Sequence, residues 1–569
     1  MKRRILDLFK GFLMGFDCTI PGFSIGTLAV LLNVYERIIN DLNDLLKHPW
    51  QIIKKDIYLA LGFLIGFVID ILVITYLLTH FPIQTVMFFV GMVFATIPQT
   101  FRIARGEKIK VRDTIICVAF VIGIILARIL SPEDYGLLAM IAVFNAVAFA
   151  FISSGFGSAL VRKPDLTEND NSTAFIFNII VGAVMFGLIW LIAPLVAIFY
   201  GNEMLCALLR AEGILLIISS FGMVQNSQLS RVLNFKAIMI VNISASLIGG
   251  VVAIVAAYHG LGVWSLVIQH IVSGIITQIL LWTISPWRPR GRWDNNSFRY
   301  LWGYGSKLLA SSLLDTVYRN IYPIIIGKFY SAADLGQYSR AQGYANLPSQ
   351  SLTGVLQQVT FPVLSRIQED TERLGYSYRR MLRFTVFVVF PIMIGMAVLA
   401  HPLVIALVTD KWAQCVPYLQ VICLASMWYP VHAINLNLLQ VKGRSDLFLR
   451  LEIIKKAIIT IAIFICVPFG IMGICIGSVC TSIICLAINT YYTGKLINVG
   501  FLRQMMDMTP TLLASLAMGA VVYFAVMPFG SEVVKLAIGI PLGIVMYLAI
   551  AKVFRMPELQ EAIDIIHRR

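Results

Sequence analysis

Charged residues are scarce in this sequence. Asp, Glu, Lys and Arg make up 13% of its 569 residues, whereas hydrophobic residues make up 59%. Soluble domains have about a quarter charged residues and are about half apolar, so the composition excludes an ordinary soluble protein. The apolar runs are about 20 residues long, the length that a helix needs to cross a membrane. We therefore predict membrane helices rather than the shorter strands of a barrel.

Patterns that carry metal or redox chemistry are missing too. The nine cysteines show no Cys-x-x-Cys motif and no His/Cys spacing typical of a metal site, and we predict neither a metal nor a cofactor. The net charge of +15 would suggest nucleic acid as a partner of a soluble protein. Here membrane topology accounts for the basic residues, which fall in loops, and we predict no nucleic-acid partner. Lys10 and Asp17 interrupt the first apolar stretch, so no cleaved signal peptide is expected.

The apolar runs fall into two groups, one on each side of a basic linker at 102–112. Before the linker, residues 19–38 predict a broken or re-entrant helix, and two spans follow near 57–79 and 82–101. After the linker we predict fourteen spans, arranged six, six and two. They lie near 114–130, 137–160, 173–199, 205–230, 238–258, 262–284, 300–328, 335–364, 381–408, 415–440, 449–469, 472–495, 507–527 and 533–554.

Loop charges predict the orientation of these spans. Cations recur in alternate loops, and the intervening loops are short and nearly free of them. Because cytoplasmic loops carry the excess of Lys and Arg, we place the basic loops and both termini in the cytoplasm and the loop at 258–262 outside. The basic loops carry Arg162, Lys163, Arg231, Lys236, Arg288, Arg290, Arg292, Arg366, Arg373, Arg379, Arg380, Lys442, Arg444, Lys455, Lys456, Lys495 and Arg503.

A repeat relates the two groups of six spans. Residues 125–136 read ILARILSPEDYG and residues 325–336 read IIGKFYSAADLG, so that Arg128 corresponds to Lys328 and Gly136 to Gly336. Each copy carries a cation, turns at Ser-x-x-Asp-x-Gly and starts another helix. Repeated halves in a membrane protein suggest a transporter whose substrate site lies between them.

A polar stripe marks the first helix of the second half. Lys307, Ser311, Asp315 and Arg319 are four residues apart and therefore share one helix face. Ionisable residues at membrane depth are costly and usually face a bundle interior or a water-filled cavity. The stripe predicts that this helix lines the substrate path.

From about Val121 to its end, the chain resembles a known transporter family. The resemblance is carried by ILARILSPEDYGLLAM (125–140), YGSKLL (304–309), NIYPIIIGKFYSAADLGQYSRA (320–341) and HAINLNLLQVKGRSDLFLRLEIIKK (432–456). These segments are similar to polysaccharide and lipopolysaccharide (O-antigen-type) biosynthesis flippases of the multidrug/oligosaccharidyl-lipid/polysaccharide exporter superfamily. The resemblance implies an all-α polytopic membrane protein with two pseudo-repeated six-helix lobes around a central cavity, plus two C-terminal helices.

The first 110 residues resemble a different family. GFLMGFDCTIPGFSIGTLAVLLNVYERII (11–39) is similar to the start of the undecaprenyl-phosphate translocases. Their motif is usually Pro-Gly-Val-Ser-Gly-Gly-Thr, from which Phe23 and Ile25 depart. A broken helix at this motif can present backbone N–H groups to an anion; the alternative is a plain turn between two interfacial helices. We interpret the chain as a fusion of a truncated translocase-like segment (1–110), a flippase N-lobe (111–284), a loop (285–298), a C-lobe (299–496) and two further helices with a tail (497–569).

The flippase resemblance implies the substrate and the compartment. Family members move an undecaprenyl-diphosphate-linked oligosaccharide from the cytoplasmic to the outer leaflet of the bacterial inner (plasma) membrane. Polysaccharide polymerase and glycosyltransferases of the same pathway are possible further partners. Three alternatives stay open: recycling of undecaprenyl phosphate by the N-terminal segment, export of a small molecule or cation, and a membrane glycan polymerase or ligase. A cation exporter would favour an acidic cavity, and a polymerase would need larger outer loops, so we predict a flippase that is not an enzyme.

A diphosphate must be carried past hydrocarbon, and fixed cations in a polar cavity solve that problem. Arg suits phosphate because its planar fork binds two oxygens at once. We predict Asp315 as a candidate for ion or proton coupling. The predicted cavity cations are Arg128, Lys307, Arg319, Lys328 and Arg340, and the candidate sugar contacts are Asn145, Asn346, Gln350, Asn435 and Asn437.

Each of these assignments has a structural alternative. Arg128 and Lys328 lie near span ends, where long cationic side chains reach for the membrane interface. Asp315 and Arg319 are one turn apart and can form an ion pair that makes both charges tolerable. Asparagine and glutamine in membrane helices often bond across helices rather than to a substrate.

Overall fold

A computed structural model of the chain describes residues 121–153 and 155–561, and six isolated residues before them (7, 10, 59, 62, 65 and 66). The predicted broken helix at 19–38 and the span near 82–101 lie outside the described residues, as does most of the span near 57–79. The chain divides into two compact units, 1–123 with 242–250 and 124–241 with 251–569. All relationships between helices given below lie within the second unit.

The described part of the chain is helical and contains no strand. A helix over 121–129 leads into a first lobe of seven helices, a second lobe of nine, and a C-terminal pair. The first lobe comprises α1 (Pro132–Ser153), α2 (Phe156–Arg162), α3 (Glu168–Tyr200), α4 (Met204–Ser220), α5 (Met223–Arg231), α6 (Phe235–Tyr258) and α7 (Trp264–Ile284). The second lobe and the pair comprise α8 (Asn295–Arg319), α9 (Ile321–Phe329), α10 (Ala332–Ser365), α11 (Thr371–Val398), α12 (Ala400–Val408), α13 (Cys415–Ser426), α14 (Tyr429–Val441), α15 (Ser445–Cys466), α16 (Gly470–Ile497), α17 (Phe501–Val526) and α18 (Glu532–Val553).

Thirteen of the fourteen predicted spans fall on these helices, several of them on two helices with a break between. Of the span near 114–130, the described residues 121–129 are helical, and residues 114–120 lie outside the described residues. Within the described residues, nine helical segments are long and apolar enough to cross a membrane, or ten if α4 and α5, which are bent by 47°, form one span. The protein is therefore a multi-pass membrane protein. Some loop assignments were wrong: of the residues counted with the loop cations, Lys455 and Lys456 lie well inside α15, and Arg379 and Arg380 lie inside α11.

Capping boxes explain the repeated Ser-x-x-Asp turn. The Asp134 N–H donates to Ser131 Oγ at 3.2 Å, and the Ser131 N–H donates to Asp134 Oδ2 at 2.9 Å. Ser331 and Asp334 exchange the same two bonds at 3.1 and 3.3 Å. Each pair satisfies two backbone or side-chain groups at a helix start that would otherwise lack partners. Both predicted turns thus begin a long helix, α1 in one copy and α10 in the other.

The two lobes meet where these two helices begin. A Cβ added to Gly136 would lie 1.6 Å from the Ala332 carbonyl oxygen, and a Cβ added to Gly336 would lie 1.8 Å from the Pro132 carbonyl oxygen. Only glycine permits backbones to approach so closely. The sequence repeat therefore forms the contact between α1 and α10, at the end of the bundle opposite to the basic loop at 285–297.

Candidate translocation site

Helix α8 lies between the two lobes. Near its start it packs on the first lobe, where a Cβ on Gly155 would be 2.7 Å from the Gly305 carbonyl oxygen and the Arg162 guanidinium lies 4.8 Å from the centre of the Tyr304 ring. Near its end, Tyr318 faces α15 of the second lobe. The helix therefore borders the space between the lobes along its length.

Helices α8 and α10 are the most polar of the long helices in the described part of the chain. With 25 and 34 residues they are long enough to cross a membrane. Neither is among the described segments that are apolar enough to do so. Polar and ionisable residues at membrane depth must face protein or water. Their composition favours a polar interior, rather than the lipid, as the surroundings of these two helices.

The polar stripe of α8 lies on one face of the helix, as the four-residue spacing predicts, and that face is exposed. Lys307, Ser311, Asp315 and Arg319 are all exposed. Arg319 Nε donates to Asp315 Oδ2 at 2.7 Å, and these side chains are 72% and 52% exposed. Within the described residues Lys307 has no hydrogen bond or ion pair. The structural alternative for Asp315, an intrahelical pair, is thus present in the structure, and Lys307 is left with an uncompensated positive charge.

A second cation approaches the end of α8 from α15. Lys456 Nζ lies 5.0 Å from the centre of the Tyr318 ring, next to Arg319 in the chain. Its neighbour Lys455 instead pairs with Glu452. Ammonium groups are attracted to the face of an aromatic ring. Sequence reasoning missed Lys456 because it was assigned to a loop, although a lysine within an apolar run is itself a signal of function.

Arg340 is enclosed by aromatic rings. Its guanidinium carbon lies 4.3 Å from the ring centre of Tyr135, 4.9 Å from that of Trp412 and 5.8 Å from that of Tyr344. Its Nη2 atom is buried and has no hydrogen-bond partner in the part of the chain that the structure describes. Tyr135 opens α1 and Trp412 follows α12, so Arg340 packs between the lobes near the glycine contact, away from the end of α8 that carries Lys307.

Arg128 and Lys328, which the repeat superimposes, make equivalent contacts across the lobes. Arg128 donates to the carbonyl oxygens of Ala406 and Leu407 at the end of α12, the second at 2.7 Å. Lys328 donates to the Phe199 carbonyl oxygen at the end of α3 and lies 4.6 Å from the centre of that residue's ring. Helix C-termini favour cations because their last carbonyls lack partners. These contacts favour an anchoring role, and substrate binding by either residue stays a prediction.

The candidate sugar contacts divide by burial. Asn435 is buried and bonded to Gln504 and Thr493, the latter at 2.8 Å, and Asn437 is buried as well. Asn145 is buried and bonded to Glu212. Asn346 is half-buried and Gln350 exposed on α10, and within the described residues neither has a hydrogen bond. Asn145 and Asn435 thus make the interhelical bonds of the structural alternative, and Asn346 and Gln350 are the two that remain accessible.

The bond to Asn145 belongs to a buried polar cluster that the sequence did not reveal. Glu212 of α4 is 3% exposed and accepts from Asn145 Nδ2. His270 Nδ1 lies 2.7 Å from Glu212 Oε1. The three residues come from three helices, α1, α4 and α7. A lone glutamate in the apolar run at 204–220 is the signal that could have identified the cluster.

Comparisons with known proteins match this architecture. Residues 125–417 match the family described as "Polysaccharide biosynthesis protein". The chain belongs to this family. Residues 14–161 match a second family, "Undecaprenyl phosphate translocase-like", so the resemblance of the N-terminal segment is confirmed and its matched range extends past the predicted boundary at 110.

Relatives with assigned names come from several polysaccharide systems. The teichuronic acid biosynthesis protein TuaB of Bacillus subtilis is 26% identical over 52% of this chain and 62% of its own length, so the match spans less than two thirds of that protein. The lipopolysaccharide biosynthesis protein WzxC of Escherichia coli is 23% identical over 63% and 74% of the two chains. The succinoglycan biosynthesis transport protein ExoT of Rhizobium meliloti is 25% identical over 79% and 92%.

Solved transporter structures share the fold. The lipid II flippase MurJ in an inward closed conformation aligns with a TM-score of 0.64 at 15% identity and covers 78% of this chain and 98% of its own. An inward-facing multidrug resistance transporter of the MATE family and MOP superfamily aligns with a TM-score of 0.52 at 14% identity, over 72% and 98% of the two chains. The predicted transporter fold of two lobes is confirmed by this likeness.

Proposed function

We propose that the protein flips an undecaprenyl-diphosphate-linked oligosaccharide from the cytoplasmic to the outer leaflet for the synthesis of a surface polysaccharide. The observation that carries the proposal is the exposed cationic face of α8, the helix between the lobes. The family and the named relatives support the substrate class: a polysaccharide precursor that crosses the membrane on a lipid carrier. The location that follows is the inner membrane of a bacterium, with both termini cytoplasmic.

The cations along α8 provide two successive binding positions for the diphosphate. Lys307 and Lys456 have no carboxylate partner among the described residues, whereas the charges of Asp315 and Arg319 offset each other. The diphosphate carries about two negative charges, and fixed cations replace the water that it loses. Lys307 and Arg319 are about 18 Å apart along the helix axis, at 1.5 Å per residue. In this proposal the headgroup moves from Lys307 to the end of α8, where Arg319 lies and where Lys456 contacts the adjacent Tyr318.

Alternating access requires the lobes to part at one end and then at the other. The contact of Gly136 with Gly336 closes the end opposite to the basic loops. Arg128 and Lys328 stabilise the closure of the same end, because each donates a hydrogen bond to a backbone carbonyl of the other lobe. Release of the oligosaccharide breaks these contacts, and the polyprenyl tail stays in the lipid throughout. Asn346 and Gln350 on α10 contact the sugars during passage.

Reconstitution tests this function. The full-length protein in lipid vesicles is given a lipid-linked oligosaccharide with a fluorescent sugar, and a membrane-impermeant quencher reports the leaflet. We expect flipping that Lys307→Glu abolishes, because the substitution replaces attraction by repulsion. Vesicles that instead export a lipophilic cation and flip no lipid-linked sugar would favour the small-molecule exporter.

In cells, the expected partners are the polymerase and glycosyltransferases that act before and after this step.

The N-terminal segment supports a second candidate function, inward recycling of undecaprenyl phosphate. The match of residues 14–161 to the translocase-like family favours it. Recycling would return the carrier lipid that the flippase and its polymerase partners release. The full-length protein should then restore growth to a strain depleted of undecaprenyl-phosphate translocases. Absence of rescue, with normal membrane abundance, would leave residues 1–110 as a passenger of the flippase.

A further inference from the structure

A carboxylate is buried in the first lobe with two polar partners. Glu212 is 3% exposed, Asn145 Nδ2 donates to its Oε2, and its Oε1 lies 2.7 Å from His270 Nδ1. Asn145 Oδ1 is also buried and has no hydrogen-bond partner in the described residues. An unpaired charge is costly at such a position, so buried charges are paired or neutralised. The cluster is therefore sensitive to whether a proton is present.

Proton counting defines the states of the cluster. Without a shared proton, a glutamate anion faces a neutral imidazole, and the buried cluster is negative. With one proton between Oε1 and Nδ1, the cluster is neutral overall, as an ion pair or as a neutral acid with a neutral ring. The two states differ by one charge inside the bundle, so gain or loss of a proton here changes the charge that the surrounding helices must accommodate.

One side of the cluster is accessible and the other is not. The His270 side chain is 45% exposed, whereas Glu212 and Asn145 are buried. Imidazole is the side chain that exchanges protons near neutral pH. His270 is therefore the member of the cluster at the surface of the bundle, and a proton that reaches Glu212 from outside the cluster passes through it.

In the part of the chain that the structure describes, the carboxyl and basic side chains of the neighbouring helices lie near helix ends or have other partners. The helices packed on α4 are α1, α3 and α7. Residue His270 is the one ionisable side chain of α7, and Arg210 of α4 stacks on Trp190 instead, 4.6 Å from its ring centre. The ionisable residues of α1 and α3 lie in their first or last turns: Glu133, Asp134, Tyr135, Glu168, Asp170 and Tyr200.

The cluster is linked to the contact between the lobes through α1. Asn145 lies on the same helix as Gly136, whose backbone touches α10. When the proton lies on Glu212 rather than on His270, the carboxyl group accepts less strongly from Asn145, because hydrogen bonds to an ionised carboxylate are the stronger ones. A proton at Glu212 therefore loosens the bond that holds α1 against α4.

We propose that Glu212 and His270 bind the proton that drives transport, with Asn145 passing the change to α1 and the lobe contact. The inference rests on the proposed flippase function and names its coupling ion and coupling residues. It replaces Asp315, which is exposed and paired with Arg319, as the coupling group.

Flipping under a pH gradient tests the proposal. Full-length protein in vesicles is assayed with the lipid-linked oligosaccharide, with and without an imposed gradient. In the wild type we expect a gradient of one orientation to raise the rate by about fivefold or more, the lower end of typical coupling between sites. In Glu212→Gln that ratio falls to one, while slow downhill flipping continues. Glu203→Gln, an exposed glutamate before the same helix, keeps the wild-type ratio.

Gradient-driven flipping that survives in Glu212→Gln, or a wild type that flips without responding to a gradient of either orientation, would overturn the proposal. If Glu212→Gln does not accumulate, His270→Gln takes its place: it keeps the Asn145 bond, and we expect the same loss of the gradient response.

A carbodiimide that modifies protonated carboxyls in apolar surroundings gives a readout without substrate. Mass spectrometry should find Glu212 modified in the wild type, with modification that decreases as the pH rises, and absence of modification at every pH would refute proton binding. Because this measurement needs no transport, it separates failure of the coupling site from failure of the proposed flippase function.

Discussion

Gly136 and Gly336 hold the two halves of the transporter together through their lack of side chains. Each lies against the turn that opens the opposite helix: Gly136 at the Ala332 carbonyl and Gly336 at the Pro132 carbonyl. The two residues occupy the same place in the two copies of the sequence repeat. The contact is therefore a pseudo-symmetric one, in which each half supplies the surface that the other half needs.

Gly136→Ala should weaken this contact. The new Cβ would lie 1.6 Å from the Ala332 oxygen, so the backbones must move apart, and overpacking of this kind costs about 1–3 kcal/mol. We expect a lower melting temperature of the purified protein and slower flipping. Gly343→Ala is the matched control, because Gly343 lies on α10, the helix that Gly136 contacts, and no atom lies within 4 Å of its added Cβ. Equal behaviour of the two variants would contradict a role for the glycine contact.

Local signals in the sequence were sufficient for the helices. Apolar length located the spans, and the Ser-x-x-Asp turns located two helix starts because a capping box needs residues only three positions apart. The same reasoning failed at Lys455 and Lys456. Counting cations as loop residues ignored the apolar residues on both sides of them, which continue α15 without a break.

Asp507→Asn tests how the C-terminal helices are attached. Arg379 of α11 donates from Nε and Nη2 to the two carboxylate oxygens of Asp507 on α17, both at 2.6 Å. Asp507 is 6% exposed, and loss of one partner of a buried pair costs about 3 kcal/mol. We expect a clearly lower melting temperature.

Asp446→Asn is the control for this substitution. Arg444 and Asp446 form a bond of the same two-pronged geometry, at 2.9 and 2.8 Å, but their side chains are 47% and 62% exposed. Solvent screens such a pair, so the melting temperature should not change. A similar loss in both variants would show that geometry, and not burial, sets the contribution of these pairs.

Thiol labelling tests the orientation in the membrane. Arg290→Cys in the basic loop and His259→Cys in the short loop are both at exposed positions. In a background without the native cysteines, a membrane-impermeant maleimide should label His259→Cys in intact cells and Arg290→Cys only after lysis. Labelling of Arg290→Cys in intact cells would invert the topology that the positive-inside rule predicts.

Less of the candidate site than of the fold could be predicted from the sequence. The stripe on α8 was predictable because its members are four residues apart on one helix. Arg340 was predicted as a cavity cation, but its enclosure was not predictable, because Tyr135 and Trp412 come from distant segments of the chain. Glu212 was missed for the same reason: its partners Asn145 and His270 lie on two other helices. Contacts of this kind are set by tertiary packing, which local patterns do not encode.

Arg319→Ala should abolish flipping and leave the protein folded. Its partner Asp315 is 52% exposed and Arg319 itself 72%, and exposed pairs contribute only about 0–1 kcal/mol to stability. We therefore expect normal membrane abundance and a nearly unchanged melting temperature. Arg319→Lys should retain part of the activity, because it keeps the charge and loses the planar fork that binds two phosphate oxygens. Arg503→Ala, which removes an exposed arginine whose bond is to the backbone carbonyl of Asn498 just before its own helix, should leave flipping unchanged.

The double variant Asp315→Asn with Arg319→Gln separates phosphate binding from ion pairing. If the pair only neutralises two charges within the bundle, the double variant contains no lone charge and should transport normally. If Arg319 holds the diphosphate, flipping should be lost although abundance is normal. Membrane abundance and transport of the lipid-linked oligosaccharide are measured in the same preparations. Normal abundance together with normal transport in the double variant would refute a phosphate-binding role for Arg319, and Lys307 and Lys456 would then be the cations left to carry the headgroup.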